Sequence, residues 1–231
     1  MFKKFKNWCF EDKKVFAEGL SFDKLYIIYL FGCVFGVYFE QIRNLIIHYM
    51  NDGTIFWEYR RGVIYGPFNP LYGVGAVLLT YFLLRKPLSN FKTFLYASLI
   101  GGGLEYIISF LQETFIGTTS WNYSNYFLNI NGRTNIPYML FWGLLGIILI
   151  KVIYPFISKY VEKIPYNIGI LFINCMHVFM FFNCFISWGA LIRQGLRVKG
   201  KPAYTFFGNF FDKYYPDAFL RERFSNMKFV R

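Results

Sequence analysis

Five stretches of this chain are long, apolar and almost free of charge, and they restrict its possible folds more than any other feature. They cover residues 24–48, 69–84, 93–116, 136–156 and 166–191. A membrane-spanning helix needs about 20 apolar residues. Inside a bilayer the backbone must satisfy its own hydrogen bonds, which a helix does within a single segment. We therefore predict an all-α fold, a polytopic transmembrane helix bundle with about five spans.

The composition agrees with a membrane protein. Of the 231 residues, 55% are hydrophobic and only 16% are charged, whereas soluble domains carry about 25% charged residues. The net charge of +12 lies largely in basic clusters beside the apolar stretches, where anionic lipid headgroups attract Lys and Arg. The partner expected for these clusters is therefore the lipid bilayer and not nucleic acid.

Three regions follow from this pattern. A basic N-terminal segment covers residues 1–23, the helix bundle covers 24–191, and a basic, aromatic tail covers 192–231.

The Lys and Arg residues of the short loops favour a cytoplasmic N-terminus. The frequent Phe, Tyr, Lys, Ile and Asn residues are typical of an AT-rich bacterial genome. The expected location is therefore a bacterial cell membrane.

The tail does not fit this orientation. Five spans place it outside, yet it carries nine basic residues. A re-entrant element at 56–69 or at 203–211 would give a sixth crossing of the membrane.

Two carboxylates lie inside the apolar stretches, at Glu40 and Glu105. An ionisable group at that depth costs about 2.5–3.5 kcal/mol on the mildest scales unless it is paired, hydrated or neutral. Arg43 follows Glu40 by three residues, a spacing that allows a salt bridge on one helix face. Glu105 has no basic residue in its own stretch, so we expect it to pair with Arg133 or to be protonated.

The loop after the third stretch contributes the other candidate residues. Arg133 is its only charged residue, and Trp121, Tyr123 and Asn131 precede it in the same loop. With Glu40, Arg43 and Glu105 they are predicted to form a pocket for a polar or zwitterionic ligand. The alternative is that two salt bridges only lock helices together, with Trp121 and Tyr123 as interfacial anchors.

The sequence between the first two stretches is rich in Gly and Pro. Gly66, Pro67, Pro70 and Gly73 prevent a regular helix over the whole of residues 62–73. Irregular backbone at membrane depth is tolerated only where protein buries it or where it lines a cavity. The segment is either a broken-helix element at the site or an interfacial loop.

Metal and cofactor sites are not expected. The cysteines, at positions 9, 33, 175 and 184, are scattered and are expected to be free, packed thiols. Asn174 and His177 share one face of the fifth stretch, where we expect a hydrogen-bonded pair and not a metal site.

Four strings in order are more specific than any single motif: RGVIYGPFNPLYGVGA (61–76), GGGLEYIISFLQETFIG (101–117), WNYSNYFLNINGR (121–133) and FWGLLG (141–146). Together they resemble the bacterial membrane family labelled putative ABC-transporter type IV, also called the CmpB-like permeases, over residues 27–156. Asn122 stands where the family pattern has an aspartate. The positions that the resemblance carries over are Glu40, Arg61, Gly62, Gly66, Pro67, Pro70, Tyr72, Gly73, Glu105, Tyr106, Glu113, Trp121, Tyr123, Asn131, Gly132, Arg133, Trp142 and Gly143.

The resemblance implies a permease that works with a separate ATPase, because this chain contains no phosphate-binding G-x-x-x-x-G-K-[ST] loop. The function expected first is thus a transport component. Two alternatives stay open at this point. One is a non-catalytic membrane assembly subunit within a homo- or hetero-oligomer. The other is an intramembrane enzyme or binder that acts on a lipid or lipid-linked substrate. The sequence shows neither a Ser-His arrangement nor a metal cluster that would support an enzyme.

Overall fold

The structure, a computed structural model, describes residues 14–230. Most of the basic segment 1–23, with Cys9, lies outside the described residues. The helices are α1 (Phe22–Asp52), α2 (Pro70–Leu84), α3 (Asn90–Leu111), α4 (Ile136–Ile148), α5 (Tyr154–Val161), α6 (Tyr166–Val198), α7 (Phe206–Tyr214) and α8 (Asp217–Arg223). Short strands are β1 (Thr118–Thr119), β2 (Asn129–Ile130), β3 (Thr134–Asn135) and β4 (Lys228–Phe229).

The predicted membrane bundle is confirmed. Four continuous helical segments are long and apolar enough to span a membrane: Phe22–Asp52, Asn90–Ile116, Ile136–Val161 and Tyr166–Val198. Helix α2 is apolar but has only 15 residues, or about 22 Å at 1.5 Å per residue. It is the short second span that the sequence predicts.

Polar residues start these helices where the sequence changes from loop to apolar run. Ser21, Ser89 and Asn135 cap α1, α3 and α4 by accepting a backbone N–H with their side chains. Asn69 caps α2, and Pro70 occupies its first turn, where a missing N–H costs nothing.

The fourth helical segment continues past Pro155 to Val161, five residues beyond the predicted end of the stretch at residue 156. A π-helical turn at Leu149–Ile153 joins α4 to α5, and Pro155 lies in the first turn of α5. Such a wide turn re-registers the helix hydrogen bonds and so accommodates the absent proline N–H. The chain turns only after Val161.

The Gly/Pro segment reaches deep between the helices. The Asn69 N–H donates to the carbonyl of Cys33, which lies in the middle of α1. On the other side, Asn183 of α6 bonds both the N–H and the carbonyl of Tyr65, and Ser187 accepts the N–H of Ile64. These side chains replace the hydrogen bonds that irregular backbone would otherwise lack at this depth.

The tail folds back onto the bundle and makes contacts with it that the sequence does not indicate. Helix α6 continues to Val198, beyond the predicted end at residue 191. Strand β4 pairs antiparallel with β1, and Phe224 forms a bridge with Arg60. The predicted re-entrant element at 203–211 is instead mostly part of α7, whose Phe211 packs over Gly189.

These pairings place the tail on one side of the bundle. Residues 53–69, 117–135 and 199–230 share that side, here called the tail face. Residues 14–21, 85–89 and 162–165 connect helices on the opposite side, the N-terminal face. On the N-terminal face the buried Lys24 donates to Ser158 at 2.5 Å and to Glu162 at 2.6 Å, which ties α1 to α5.

Candidate functional site

Glu40 of α1 is held by residues from outside its own helix. Tyr72 of α2 donates its hydroxyl proton to Glu40 Oε1 at 2.5 Å, and Arg60 lies 4.0 Å from Oε2. Arg43 instead donates to the hydroxyl of Tyr138 on α4. The predicted Glu40–Arg43 salt bridge is therefore wrong, because Tyr72 binds Glu40 and Tyr138 binds Arg43.

Arg60 also serves a second carboxylate on the tail face. Its Nε donates to Glu58 at 3.0 Å, and Asn44 of α1 donates to the same Glu58 oxygen. Arg60 therefore interacts with both Glu58 and Glu40, and Glu58 is the nearer of the two carboxylates.

Glu105 of α3 is buried, with 8% of its surface exposed. Its carboxylate accepts the Thr134 hydroxyl proton at 2.8 Å and a hydrogen bond from the Trp142 indole. Among residues 14–230, no Lys or Arg nitrogen lies within salt-bridge distance of it. A buried carboxylate without a cationic partner bears a large desolvation cost in its charged form.

Arg133 binds another carboxylate, so the predicted Glu105–Arg133 pair is wrong as well. Its guanidinium lies 2.5 Å from Glu113 and donates to Ser109 at 3.3 Å. Glu105, Ser109 and Glu113 follow one another at intervals of four on one face of the helix. The β2–β3 hairpin positions Arg133 two turns nearer the tail face than Glu105, and the next residue, Thr134, reaches Glu105.

Two aromatic side chains join the carboxylates. The Tyr72 ring stacks on Trp142 with centroids 5.9 Å apart. The Tyr72 hydroxyl interacts electrostatically with both Glu40 and Glu105. The two glutamates thus belong to one cluster, here called the glutamate cluster, which consists of Glu40, Tyr72, Glu105, Thr134 and Trp142.

Glycines permit this stacking. A Cβ at Gly36 would lie 2.1 Å from Cγ of Tyr72, and a Cβ at Gly101 would lie 2.2 Å from Cγ of Trp142. Each ring therefore occupies space that only a glycine leaves open on the facing helix. The sequence shows the glycines but not which ring each one receives.

The loop residues cover the cluster on the tail face. The Trp121 indole donates to the Arg133 carbonyl at 2.8 Å, and Asn131 donates to the Tyr106 hydroxyl at 2.9 Å. The Tyr123 ring packs on Tyr138 with centroids 4.9 Å apart. Burial and the nearby Glu105 carboxylate raise the pKa of Tyr123, so its phenol stays neutral.

The four Gly/Pro candidates do not act together. Pro70 and Gly73 shape the start of α2, where Gly73 packs against Cys33 and Tyr29. Gly66 has a left-handed φ of 74° and lines a separate cavity near the tail. Only the first pair adjoins Tyr72 and thus the glutamate cluster.

Family membership follows from the match of a family model to most of the bundle. The model of putative ABC-transporter type IV proteins matches residues 27–188. The chain belongs to this family. No curated protein and no solved structure matches it. The long apolar helices and the family together make it a multi-pass membrane protein and a putative ABC-transporter component.

The matched residues include the whole glutamate cluster, whereas the tail from residue 189 onward lies outside the match. Tyr72, Glu113 and Trp142 are among the positions that the sequence resemblance carried over, without a role. Arg60, Thr134 and Tyr138 were missed, since no pattern in the sequence relates them to Glu40, Glu105 or Arg43.

Metal ligands do not cluster among residues 14–230. His177 bonds the carbonyl of Ile173 at 3.0 Å and stacks on Tyr26 at 3.6 Å between centroids. Asn174 is exposed on α6. The predicted Asn174–His177 hydrogen bond is wrong, because Nδ1 of His177 bonds the Ile173 carbonyl instead.

Proposed function

We propose that this protein is the membrane-spanning subunit of a transporter, and that the glutamate cluster binds a positively charged group of the substrate. The observation that supports this most directly is Glu105, a buried carboxylate whose described partners are a hydroxyl and an indole. An acidic group at such a depth commonly marks a substrate or ion path.

The surroundings suit an organic cation. Tyr72 and Trp142 stack beside the carboxylates, and aromatic faces attract ammonium groups by cation–π interaction. Thr134 and Tyr72 each donate one hydrogen bond to a carboxylate, which leaves further oxygen lone pairs for a ligand. A cation bound between Glu40 and Glu105 would offset the desolvation cost of both carboxylates.

Access would involve the tail face. Both glutamates lie in the half of their helices nearer that face, since α1 and α3 end at Asp52 and, through a π-helical turn, at Ile116. The hairpin that carries Thr134 and Arg133 lies over Glu105. Movement of this hairpin would open the cluster, and the Arg133–Glu113 salt bridge would hold it closed.

The energy source proposed is a separate ATPase subunit. The family supports such a partner, and the sequence has no phosphate-binding loop of its own. We also propose that the N-terminal face is cytoplasmic and would receive this partner.

The test begins with tagged protein purified in mild detergent from its native membrane, followed by mass spectrometry of co-purifying proteins. A stoichiometric ATPase is expected. Thermal unfolding is then measured with tetramethylammonium chloride and with sodium chloride at equal ionic strength. The wild type should gain stability only with the organic cation.

Glu105→Gln is the diagnostic variant because glutamine still accepts the Thr134 proton. We expect it to keep the ATPase and lose the stabilisation by tetramethylammonium. Glu222→Gln, an exposed carboxylate in the tail, is the control. Loss of the ATPase in Glu105→Gln, with an unaltered response to the cation, would favour an assembly subunit. Absence of any ATPase would contradict the transporter proposal.

A further inference from the structure

A separate cavity lies on the tail face, away from the glutamate cluster. It has a volume of about 560 Å³ and lies between residues 61–66 and the tail helices α7 and α8. Arg61 and Arg223 line it, with Tyr65, Tyr214, Tyr215 and Phe219 among its aromatic walls. The cavity therefore combines four residues of the range that the family model matches, within 61–66, with residues of the tail that it does not match.

Both arginines lack hydrogen-bond partners at a buried donor. The Nε atoms of Arg61 and Arg223 are shielded from solvent and bond no other atom of residues 14–230. Within that range, no carboxylate oxygen lies within 4.0 Å of either guanidinium. Arg61 lies 4.5 Å from the Tyr59 ring centroid, and Arg223 lies 5.3 Å from that of Phe219. These ring contacts leave the two Nε–H donors unsatisfied.

The backbone brings these two like charges together. Arg60 and Phe224 form an antiparallel bridge, so Arg61, which follows Arg60, and Arg223, which precedes Phe224, lie on the same side of it and line the same cavity. Two like charges at one cavity repel each other. Two acidic residues of the tail are occupied elsewhere, since Asp212 pairs with Arg193 and Arg197, and Asp217 pairs with Arg197. The third, Glu222, is exposed and forms no ion pair among the described residues.

We propose that Arg61 and Arg223 bind the oxyanions of a phosphate group between them. Guanidinium groups recognise phosphate through parallel N–H donors, and a bound dianion would satisfy the unpaired Nε atoms and cancel the repulsion. The hydroxyls of Tyr65 and Tyr215, which bond each other at 2.8 Å, lie beside the same cavity. The phosphate belongs either to a lipid headgroup at the membrane surface or to a soluble phosphate compound.

A bound phosphate would add one more link between the tail and the bundle. Ligand binding would link Arg61, at the start of the Gly/Pro segment, to Arg223 at the end of α8. The phosphate site is independent of the glutamate cluster, and either proposal can fail without the other.

The experiment uses the full chain purified in a non-ionic detergent and isothermal titration with two probes. These are inorganic phosphate and dihexanoyl phosphatidic acid below its micelle concentration. Wild-type protein should bind at least one probe. At least tenfold tighter binding of the phosphatidic acid identifies a lipid headgroup, and equal binding identifies a soluble phosphate. Both results support the site, whereas binding of neither probe overturns it.

Arg223→Gln is expected to weaken binding at least tenfold. Arg221→Gln is the matched control, because Arg221 is an exposed arginine of the same helix, and it should stay within twofold of wild type. Arg223→Lys keeps the charge but loses the planar guanidinium with its parallel N–H donors, so it should weaken binding at least threefold. Equal affinities for Arg223→Gln and Arg221→Gln would overturn the proposal.

The ligand-free protein gives a second readout that does not need a bound probe. Removal of one of two like charges should leave the Tm of Arg223→Gln equal to or above that of wild type. A lower Tm without phosphate would show that Arg223 is a structural residue, and would contradict the site.

Discussion

The Tyr72 hydroxyl donates a 2.5 Å hydrogen bond to Oε1 of Glu40 and so joins the second helix to the first inside the bundle. The ring of the same tyrosine lies over Gly36 and against Trp142. One side chain therefore determines both the spacing of α1 and α2 and the position of a partly buried carboxylate.

Tyr72→Phe should destabilise the protein by about 1 kcal/mol, since interhelical hydrogen bonds in membranes contribute roughly 0.6–1.7 kcal/mol. The measurement is thermal or denaturant unfolding in detergent. In a double-mutant cycle with Glu40→Gln, the two losses should be less than additive. Tyr81→Phe on the same helix is the control, because the Tyr81 ring stacks under Arg85 without a hydroxyl partner among the described residues. Strict additivity would show that the hydrogen bond does not couple the two helices.

Gly101→Ala should destabilise the bundle by about 1–3 kcal/mol, the usual cost of overpacking. Its new Cβ would lie 2.2 Å from Cγ of Trp142 and would push the indole away from Glu105. Gly103→Ala is the matched control, because no atom lies within 4 Å of a Cβ at that position. Unfolding of both variants, followed with tryptophan fluorescence, should show a loss only for Gly101→Ala. Equal stability of the two would contradict the close α3–α4 packing.

Glu113→Gln should loosen the loop at 118–135, since it removes the charge that holds Arg133 at 2.5 Å. Hydrogen–deuterium exchange of this loop is the measurement, and faster exchange is expected. Glu105→Gln should leave exchange around Arg133 nearly unchanged, because the two side chains do not pair. Faster exchange in Glu105→Gln together with unchanged exchange in Glu113→Gln would instead support the Glu105–Arg133 pair that the sequence suggested.

The topology predicts the side on which each loop is accessible. In a variant without native cysteines, Asn125→Cys and Glu222→Cys should react with a membrane-impermeant maleimide from one side, and Lys86→Cys from the other. All three positions are exposed. Reaction of Glu222→Cys from the same side as Lys86→Cys would exclude a tail face shared by the loop and the tail.

The same labelling in intact cells tests orientation. The eight basic residues at positions 193–228 of the tail join Arg60, Arg61 and Arg133 on the tail face, so the distribution of Lys and Arg no longer favours one orientation strongly. A cytoplasmic N-terminus stays a prediction, and labelling of Asn125→Cys from outside the cell would support it.

Acid should release the tail helices. Two hydrogen bonds from Arg193, together with Arg197, hold the pKa of Asp212 below its usual range. A carboxylate with a lowered pKa stabilises the fold above its unfolded pKa of about 3.9. That contribution is lost as the pH falls through the lower folded value.

Hydrogen exchange in α7 at pH 7 and below pH 4 measures this effect. Asp212→Asn should show the faster exchange already at pH 7 and a weaker dependence on acid. Asp52→Asn is the control, because the Asp52 side chain is 63% exposed. An unchanged pH dependence in Asp212→Asn would rule out this pair as the origin of acid sensitivity.

Much of the fold could be predicted because each span carries its own signal. Apolar length indicates a span one segment at a time, and Asn69 before Pro70 is a local start signal for α2. The fourth stretch was predicted to end too early, at residue 156. The π-helical turn that accommodates Pro155 has no comparable signal in the sequence. The pairing of β4 with β1 joins residues 110 positions apart, and two-residue strands leave no periodic pattern to detect.

The candidate site was predictable in its members and not in its contacts. Glu40, Glu105 and Arg133 are conspicuous because a charge within or beside an apolar stretch is costly wherever the helix lies. Their partners depend on helix rotation and on the height at which helices cross, which spacing along one helix does not report. Arg43 and Arg133 were therefore assigned to the wrong partners, since Arg43 binds the Tyr138 hydroxyl and Arg133 binds Glu113.

The sequence by itself determined that this chain enters a membrane as a helix bundle, because the solvation cost of each segment depends on that segment alone. Only the tertiary structure decided that Tyr72 binds Glu40, that Glu113 binds Arg133, and that Arg61 and Arg223 line one cavity. Those contacts arise from the packing of segments distant in the chain, where glycines such as Gly36 and Gly101 set how closely the helices approach.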